Sequence, residues 1–264
     1  MASVGASIQW GAETIWEAVA PGLPGFTIEI LPEIDSTNSE LMRRAKHGIM
    51  EPILLVTEHQ TAGRGRLGRV WHDQGAGGKP VALMFSLGLP LAPADWSGLS
   101  LAVGLSVVQS LHPDLRLKWP NDVWFKQRKM AGILIETVAL AASPSTVGRY
   151  VVVGVGVNLA TPPADGLATA PAGLAELLPG IDAGQALACV IAPLVAQVKR
   201  FERHGFSVFQ SAYSRRDGLQ GLSVSLSDGQ SGDALGVDEA GALLVHTSGG
   251  VQRITSSQVS VRPA

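Results

Sequence analysis

An α+β fold is predicted for this chain: a mixed sheet packed with helices, followed by a small all-β unit. Three observations predict it. Up to about residue 216, β-branched runs alternate with amphipathic stretches. Beyond that point, short strand-like runs recur at spacings near ten residues, separated by SDG, DEAG and SGG turns. Apolar residues make up 46 % and charged residues 16 % of the 264, spread along the chain as in a globular protein. The expected domains are therefore 1–216 and 217–264.

Phe26 to Ile30 alternates as a strand does, and Ser36-Thr37-Asn38 opens the amphipathic stretch NSELMRRAKHG, which closes at Gly48 like a helix C-terminus. Ile53 to Thr57 predicts a strand, and the loop TAGRGRLGR (61–69) follows it. Val81 to Leu87 predicts a strand, Trp96 to Leu111 a helix, and Leu115 to Trp119 a strand stopped by Pro120-Asn121-Asp122. Met130 to Ala139 and Tyr150 to Val157 are two more strands, and a long helix runs from about Gln185 to His204. The Ala-, Pro- and Gly-rich segment 158–182 reads as a loop with one short helix. From Gly218, the runs LSVSL, DALGV, ALLVHT, VQRIT and QVSVR predict a small barrel or sandwich.

The longest uncharged stretch, Trp96 to Pro113, is interrupted by polar residues and falls short of the roughly 20 apolar residues that span a bilayer. The N-terminus MASVGASIQWGAETIWEAVAPGLPG lacks a basic n-region and a continuous apolar core, so no signal peptide and a cytoplasmic address are expected. The single cysteine, Cys189, has no disulfide or metal partner of its kind, and its run GQALACVIAPLV places it at a buried helix position. A formal net charge of −2 argues against a dedicated DNA or RNA binder, which is basic over a broad face.

Against that background, GRGRLGR is a local island of positive charge. Its glycines let backbone N–H groups converge on an anion, and its arginines supply forked donors suited to carboxylate or phosphate. A clamp for an anionic ligand fits this composition, as does a solvated loop or an RNA-binding tract, although the repeats and basic background of such tracts are missing. A Walker loop fails at Gly78-Lys79, where Asp73 stands for the first glycine and Pro80 for the hydroxyl. A dinucleotide fingerprint fails at Gly154-Val155-Gly156, because Leu159 replaces the third glycine; a bulged strand end remains open there. Lys118-Trp119-Pro120-Asn121-Asp122 offers Lys118 to phosphates and Asp122 to Mg²⁺, and equally suits an ordinary turn. Lys129 either enters a site or is solvated at its strand start. Thr37 and Glu40 fit an S/T-x-x-E capping box, compatible with anion binding at the same helix end.

The order IDSTN, EHQTAGRGRLGRVW, LKWPNDVW, RKMAGILIE and VVVGVGVNL resembles the biotin protein ligases (biotin-[acetyl-CoA-carboxylase] ligases) from about Ile34 to Leu159. The resemblance implies a class II aminoacyl-tRNA-synthetase-like catalytic domain and a C-terminal SH3-like β-barrel. It implies two steps: biotin and ATP give biotinyl-5′-AMP and pyrophosphate, and a lysine of a biotin carrier domain of a carboxylase then takes the biotinyl group. The bifunctional members carry an N-terminal winged helix-turn-helix, which the segment before Phe26 is too short to hold, so a monofunctional ligase that does not bind DNA is expected.

By the same resemblance, Ser36, Thr37, Asn38 and Gln60 bond the polar ring of biotin or line its pocket. Arg64, Gly65 and Arg66 match the loop that closes over the biotinyl-adenylate, and Lys129 matches the lysine at the biotin carboxyl and acyl phosphate. Arg69, Trp71, Lys118, Asn121, Asp122 and Asn158 are assigned to the nucleotide side, where Trp71 either stacks beside adenine or is a buried structural residue. Arg66 and Lys129 carry the catalytic assignment. Mg²⁺ is implied by ATP rather than by a ligand cluster, and monomer and homodimer both occur in the family. Two rivals stand beside this reading: a lipoate ligase or octanoyltransferase of the same superfamily, the latter needing an active-site cysteine, and a non-catalytic biotin-sensing module.

Overall fold

The computed structural model describes residues 8–71, 81–139, 148–164, 166–167, 169–227, 229–255 and 261–263. The Gly78-Lys79 pair and the first half of QVSVR lie outside the described residues. The described chain opens with a helix that the sequence reading lacks, α1 (Ala12–Val19), which buries Ile15 and Val19. β1 (Thr27–Ile34) leads through α2 (Thr37–Lys46) to β2 (Ile53–Gln60), paired parallel with β1 from Thr27↔Ile53 to Ile34↔Gln60. β3 (Ala82–Leu91), β4 (Arg116–Lys118), β5 (Asp122–Phe125), β6 (Arg128–Ala139) and β7 (Arg149–Asn158) complete a mixed sheet of order β1-β2-β3-β7-β6-β5-β4. The four-residue β5 is also new, and it turns KWPNDVWF into a hairpin with Lys118 opposite Asp122.

Strand alternation gives the sheet two unlike faces. Leu83, Phe85, Leu87 and Leu89 of β3, and Val151, Val153, Val155 and Val157 of β7, point into the main core with α3 (Leu99–Leu111) and α4 (Ala183–His204). Each such burial stabilises by about 1.5 to 3 kcal/mol over exposure. Intervening residues face α2, where Leu41, Ala45, Leu55, Tyr150 and Val152 form a smaller cluster. Further along that second face stand Met84 and Ser86 of β3, with Gly154 and Gly156 of β7 beside them in register. A Cβ at Gly154 would stand 2.1 Å from Asn38 Oδ1, and one at Gly156 would stand 2.6 Å from the Trp71 indole. β7 pairs with both neighbours without a register shift, so the two glycines mark close approach by other side chains and no bulge.

Three local expectations are corrected. The α2 cap is Ser36, in an extended conformation with its hydroxyl accepting from Ser39 N at 3.4 Å; Thr37 is already helical, and Glu40 pairs with Arg43 and Arg44 instead of closing a box. α3 begins at Leu99 rather than Trp96, because Gly98 precedes it at φ 79 against the Phe206 ring. Cys189 lies on α4 and is exposed: the buried stripe runs through Ala186, Leu187, Val190, Ile191 and Leu194, which leaves it on the outer side.

After α5 (Ser207–Ser214), the strands β8 (Ser223–Leu226), β9 (Ser231–Val237), β10 (Leu243–Thr247), β11 (Gly250–Ile254) and β12 (Val261–Pro263) form an antiparallel sheet of order β11-β10-β9-β8-β12. Among the described residues no pairing joins β11 to β12, so the expected barrel is an open five-stranded sheet. It shares one core with the first sheet, and the Trp119 indole N–H donates to Gly241 O at 3.0 Å across the junction. The connecting segment covers the β4 edge, with Leu117 N donating to Arg216 O at 2.7 Å and Gly218 N to Leu117 O at 2.8 Å.

Asp217 sits in that joint. Leu219 N donates to its Oδ1, while among the described residues Oδ2 and the facing Tyr213 hydroxyl are buried without hydrogen-bond partners. Burial raises the Asp217 pKa above its ordinary 3.8. A raised folded-state pKa means that stability is fully present below the unfolded value and is lost as pH rises through the folded one. Asp217→Asn is therefore expected to raise the thermal midpoint at pH 7, with an advantage that shrinks toward pH 3.5. A gap that widened on acidification would contradict it.

Candidate active site

A cavity of about 1020 Å³ opens on the α2 face of the first sheet. It has a neutral, hydrogen-bonding end and a cationic end. At the neutral end, Ser36, Thr37, Asn38, Gln60 and Ser86 are all buried. Gln60 Oε1 accepts from Thr37 N at 2.9 Å, and Gln60 Nε2 approaches Met84 Sδ at 3.4 Å. Ser86 Oγ lies 2.7 Å from Thr37 Oγ1 and 2.6 Å from Asn38 Oδ1. One hydroxyl proton cannot serve both neighbours. Since the amide oxygen only accepts, Ser86 donates to Asn38 and accepts from Thr37. Asn38 Nδ2 then donates to Leu134 O at 3.2 Å and to Glu136 Oε2 at 3.0 Å, which fixes the amide orientation and uses both of its protons. Asn38 and Ser86 thus brace the pocket, and Ser36, Thr37 and Gln60 supply the remaining polar lining.

The arginine loop folds over the opening as a narrow hairpin. Trp71 N donates to Gly63 O at 2.9 Å and Gly65 N to Arg69 O at 2.7 Å. Its three arginines do different things. Arg64 turns aside to Glu136 and Ser39. Arg66 reaches inward, donating to Asn121 Oδ1 at 3.1 Å, and burial pulls its guanidinium below the ordinary value without neutralising it. Arg69 lines the same cavity, and its charge is felt by both Arg66 and Lys118.

At the cationic end, the β4–β5 hairpin presents Asp122 between two ammonium groups, Lys129 Nζ at 2.7 Å and Lys118 Nζ at 3.5 Å. Lys118 is 8 % exposed, and burial lowers its pKa against the opposing pull of Asp122. Among the described residues, four cations, Arg66, Arg69, Lys118 and Lys129, therefore surround one carboxylate at this end, a balance of positive charge that suits a polyanion. The Trp71 indole lies against Gly132 and Gly156 with Lys129 Nζ 5.8 Å from its ring centroid, and its buried N–H has no hydrogen-bond partner among the described residues.

Two nucleotide-side candidates are also braces. Asn121 Nδ2 donates to Ile133 O at 2.9 Å, and Asn158 Nδ2 donates to Lys129 O at 3.3 Å and Ala172 O at 3.2 Å, tying the 158–172 segment to β6. Every residue nominated from the sequence lines this cavity. Arg262, which also lines it, and Ser86 and Glu136, which stand behind the lining through their bonds to Asn38, were not nominated. Ser86 had a signal, a lone hydroxyl in the apolar run ALMFSLGL, and Glu136 closes the quoted motif MAGILIE. Arg262, on β12, reaches the cavity from the C-terminal sheet and carried no local signal.

Among the described residues, no group of three or more His, Cys, Asp or Glu side chains can hold a metal ion. Both Asp122 oxygens are committed to lysines, so the residues present do not fit a dedicated Mg²⁺ cage.

The sheet, the hairpin loop and the two-ended cavity suit a protein that holds a small neutral group beside a polyanion. The model of the Biotin/lipoate A/B protein ligase family matches residues 31–158, and that of the Biotin protein ligase C terminal domain matches 226–262. The bifunctional ligase/repressor BirA of Escherichia coli is 30 % identical over 251 residues, covering 92 % of this chain and 76 % of that protein. The biotin-[acetyl-CoA-carboxylase] ligase of Paracoccus denitrificans is 31 % identical over 242 residues, covering 87 % of this chain and 98 % of that one. The biotin protein ligase of Aquifex aeolicus, solved in complex with biotin and ATP, superposes with a TM-score of 0.74 at 28 % identity, over 90 % of this chain and 99 % of that structure. The chain belongs to the biotin protein ligase family.

Proposed function

We infer that this chain is a biotin protein ligase, which activates biotin with ATP and passes the biotinyl group to a carrier-domain lysine. The observation that carries the reading is the union, in one cavity, of a neutral hydrogen-bonding end with a surplus of cations. In the first step a biotin carboxylate oxygen bonds to the α-phosphorus of ATP, the bond to the β-phosphate oxygen breaks, and pyrophosphate leaves. Two anions must first be held together. Lys129 and Arg66, both at the cation-rich end, offset that repulsion and stabilise charge on the phosphorus as it becomes five-coordinate. Asp122 keeps the Lys129 ammonium oriented. In the second step the neutral amine of the carrier lysine attacks the acyl carbon, AMP leaves, and the amine proton goes to solvent.

Thr37, Ser36 and Gln60 bond the ring of biotin within the neutral end, with Asn38 and Ser86 fixing them in place. Trp71, Lys118, Arg69, Asn121 and Asn158 form or support the nucleotide side, and the Trp71 N–H, which has no partner among the described residues, is a donor suited to it. Mg²⁺ enters as MgATP, carried by the phosphates. No enzyme nucleophile is required, and the exposed Cys189 is not among the cavity residues, which disfavours the octanoyltransferase reading. All the groups invoked come from one chain, so either monomer or homodimer serves. The cations are gathered inside the cavity rather than over a broad face, which disfavours DNA as a partner. No helix of the described residues is long and apolar enough to cross a membrane, and the need for ATP and a carboxylase carrier domain supports a cytoplasmic address. Residues 1–216 then form the catalytic unit, and 217–264 the C-terminal unit that lends Arg262 to the cavity.

Biotin-dependent exchange of pyrophosphate into ATP, followed by mass spectrometry of a carrier domain incubated with the protein, biotin and MgATP, tests this directly. Exchange with lipoate and none with biotin overturns it in favour of a lipoate ligase. Biotin binding without exchange or labelling overturns it in favour of a sensing module. Gly154→Ala is expected to push Asn38 out of place, raising the KM for biotin at least tenfold and destabilising the chain by about 1 to 3 kcal/mol. An unchanged KM would show that Asn38 can yield at no cost.

A further inference from the structure

Of the three loop arginines, Arg64 alone points away from the cationic end. Its Nη2 donates to Glu136 Oε1 at 2.6 Å and its Nη1 to Ser39 Oγ at 2.9 Å. Glu136 Oε2 accepts from Asn38 Nδ2 at 3.0 Å. The two oxygens of one carboxylate thus hold the arginine loop on one side and the brace of the neutral pocket on the other. Through Asn38 the connection continues to Ser86 and Thr37. Arg64 is 44 % and Glu136 21 % exposed at the side chain, so the pair alone adds little to global stability. Its effect lies in where it holds the loop.

We propose that Glu136 is a positioning residue that latches the arginine loop to the biotin pocket, so that loop closure and pocket ordering occur as one event and slow the escape of the adenylate. Resting on the ligase reading, it adds a residue and a role to that site. Both oxygens are needed, because an amide in place of the carboxylate keeps one acceptor and turns a donor toward Asn38 or Arg64.

The test follows release of pre-formed, labelled biotinyl-AMP into excess unlabelled ligand for wild type, Glu136→Gln, Arg64→Gln and the double variant. Each single change is expected to speed release about tenfold, and the double change to be no faster than either single, since the two groups act as a unit. Single-turnover adenylation by Glu136→Gln at saturating biotin should stay within about twofold of wild type while its KM for biotin rises, a split that a general loss of structure does not give. Wild-type release from Glu136→Gln, or multiplied effects in the double variant, overturns the latch. If Glu136→Gln does not fold, Arg64→Gln must speed release while Ser39→Ala, which leaves the Glu136 contact in place, must not; equal effects overturn it. A wild type that neither forms nor retains biotinyl-AMP refutes the ligase reading, whereas tight retention by wild type and variants alike refutes the latch alone.

Discussion

Lys129→Ala is expected to slow formation of biotinyl-AMP by about 10²- to 10³-fold, the cost of removing one preorganised charge from a site where charge develops. The structure explains why the loss should fall on the chemical step. The Lys129 ammonium is held by Asp122 at 2.7 Å, and its backbone carbonyl by Asn158, so its position is set before substrates arrive. Truncation also removes the nearer of the two lysines paired with Asp122, leaving Lys118 at 3.5 Å, and so exposes incoming phosphates to a less compensated carboxylate. Rapid quenching of a single turnover at saturating biotin and MgATP reads this directly. An adenylation rate equal to wild type would show that Lys129 is an ordinary strand-start lysine.

Arg66→Gly is expected to release biotinyl-AMP about 10- to 10²-fold faster, as befits loss of a charge-assisted contact worth roughly 1.5 to 3 kcal/mol. Arg66 is the loop arginine aimed inward, beside Asn121 and under the influence of Asp122, so on the proposed ligase reading its forked donors are offered to the acyl phosphate. Escaped adenylate is a reactive mixed anhydride, and bystander lysines should become biotinylated. Counting adenylate in a filtrate and biotin on an unrelated protein tests both consequences. If the variant retains adenylate as wild type does, the inward arginine is not the clamp.

The parts of the fold that repeat along the chain were legible in the sequence. VVVGVGVN reads as a strand, but its spacing left open whether the glycines mark a bulge or make room for something lying against them. The answer, Asn38 and Trp71, is far away in sequence and belongs to tertiary packing. Ser86 and Glu136 escaped notice for the same reason: their bonds to Asn38 join residues 48 and 98 positions apart. The short elements α1, β5 and α5, of 8, 4 and 8 residues, offered too few turns or alternations for a period to show. Cys189 was misplaced for the opposite reason. The helical stripe of α4 excludes position 189, so helical spacing and not the usual burial of cysteine decides where it lies.

On the site face of the sheet, β7 contributes two absent side chains. Gly154 and Gly156 already have the smallest residue available, so substitution there can only fill the space. Room for a bulkier acid must come from β3, where Met84 is unbranched, flexible and set directly beside Gly156 in register. Redesign of the acyl specificity of this scaffold is therefore a problem of shaving β3 while leaving β7 untouched.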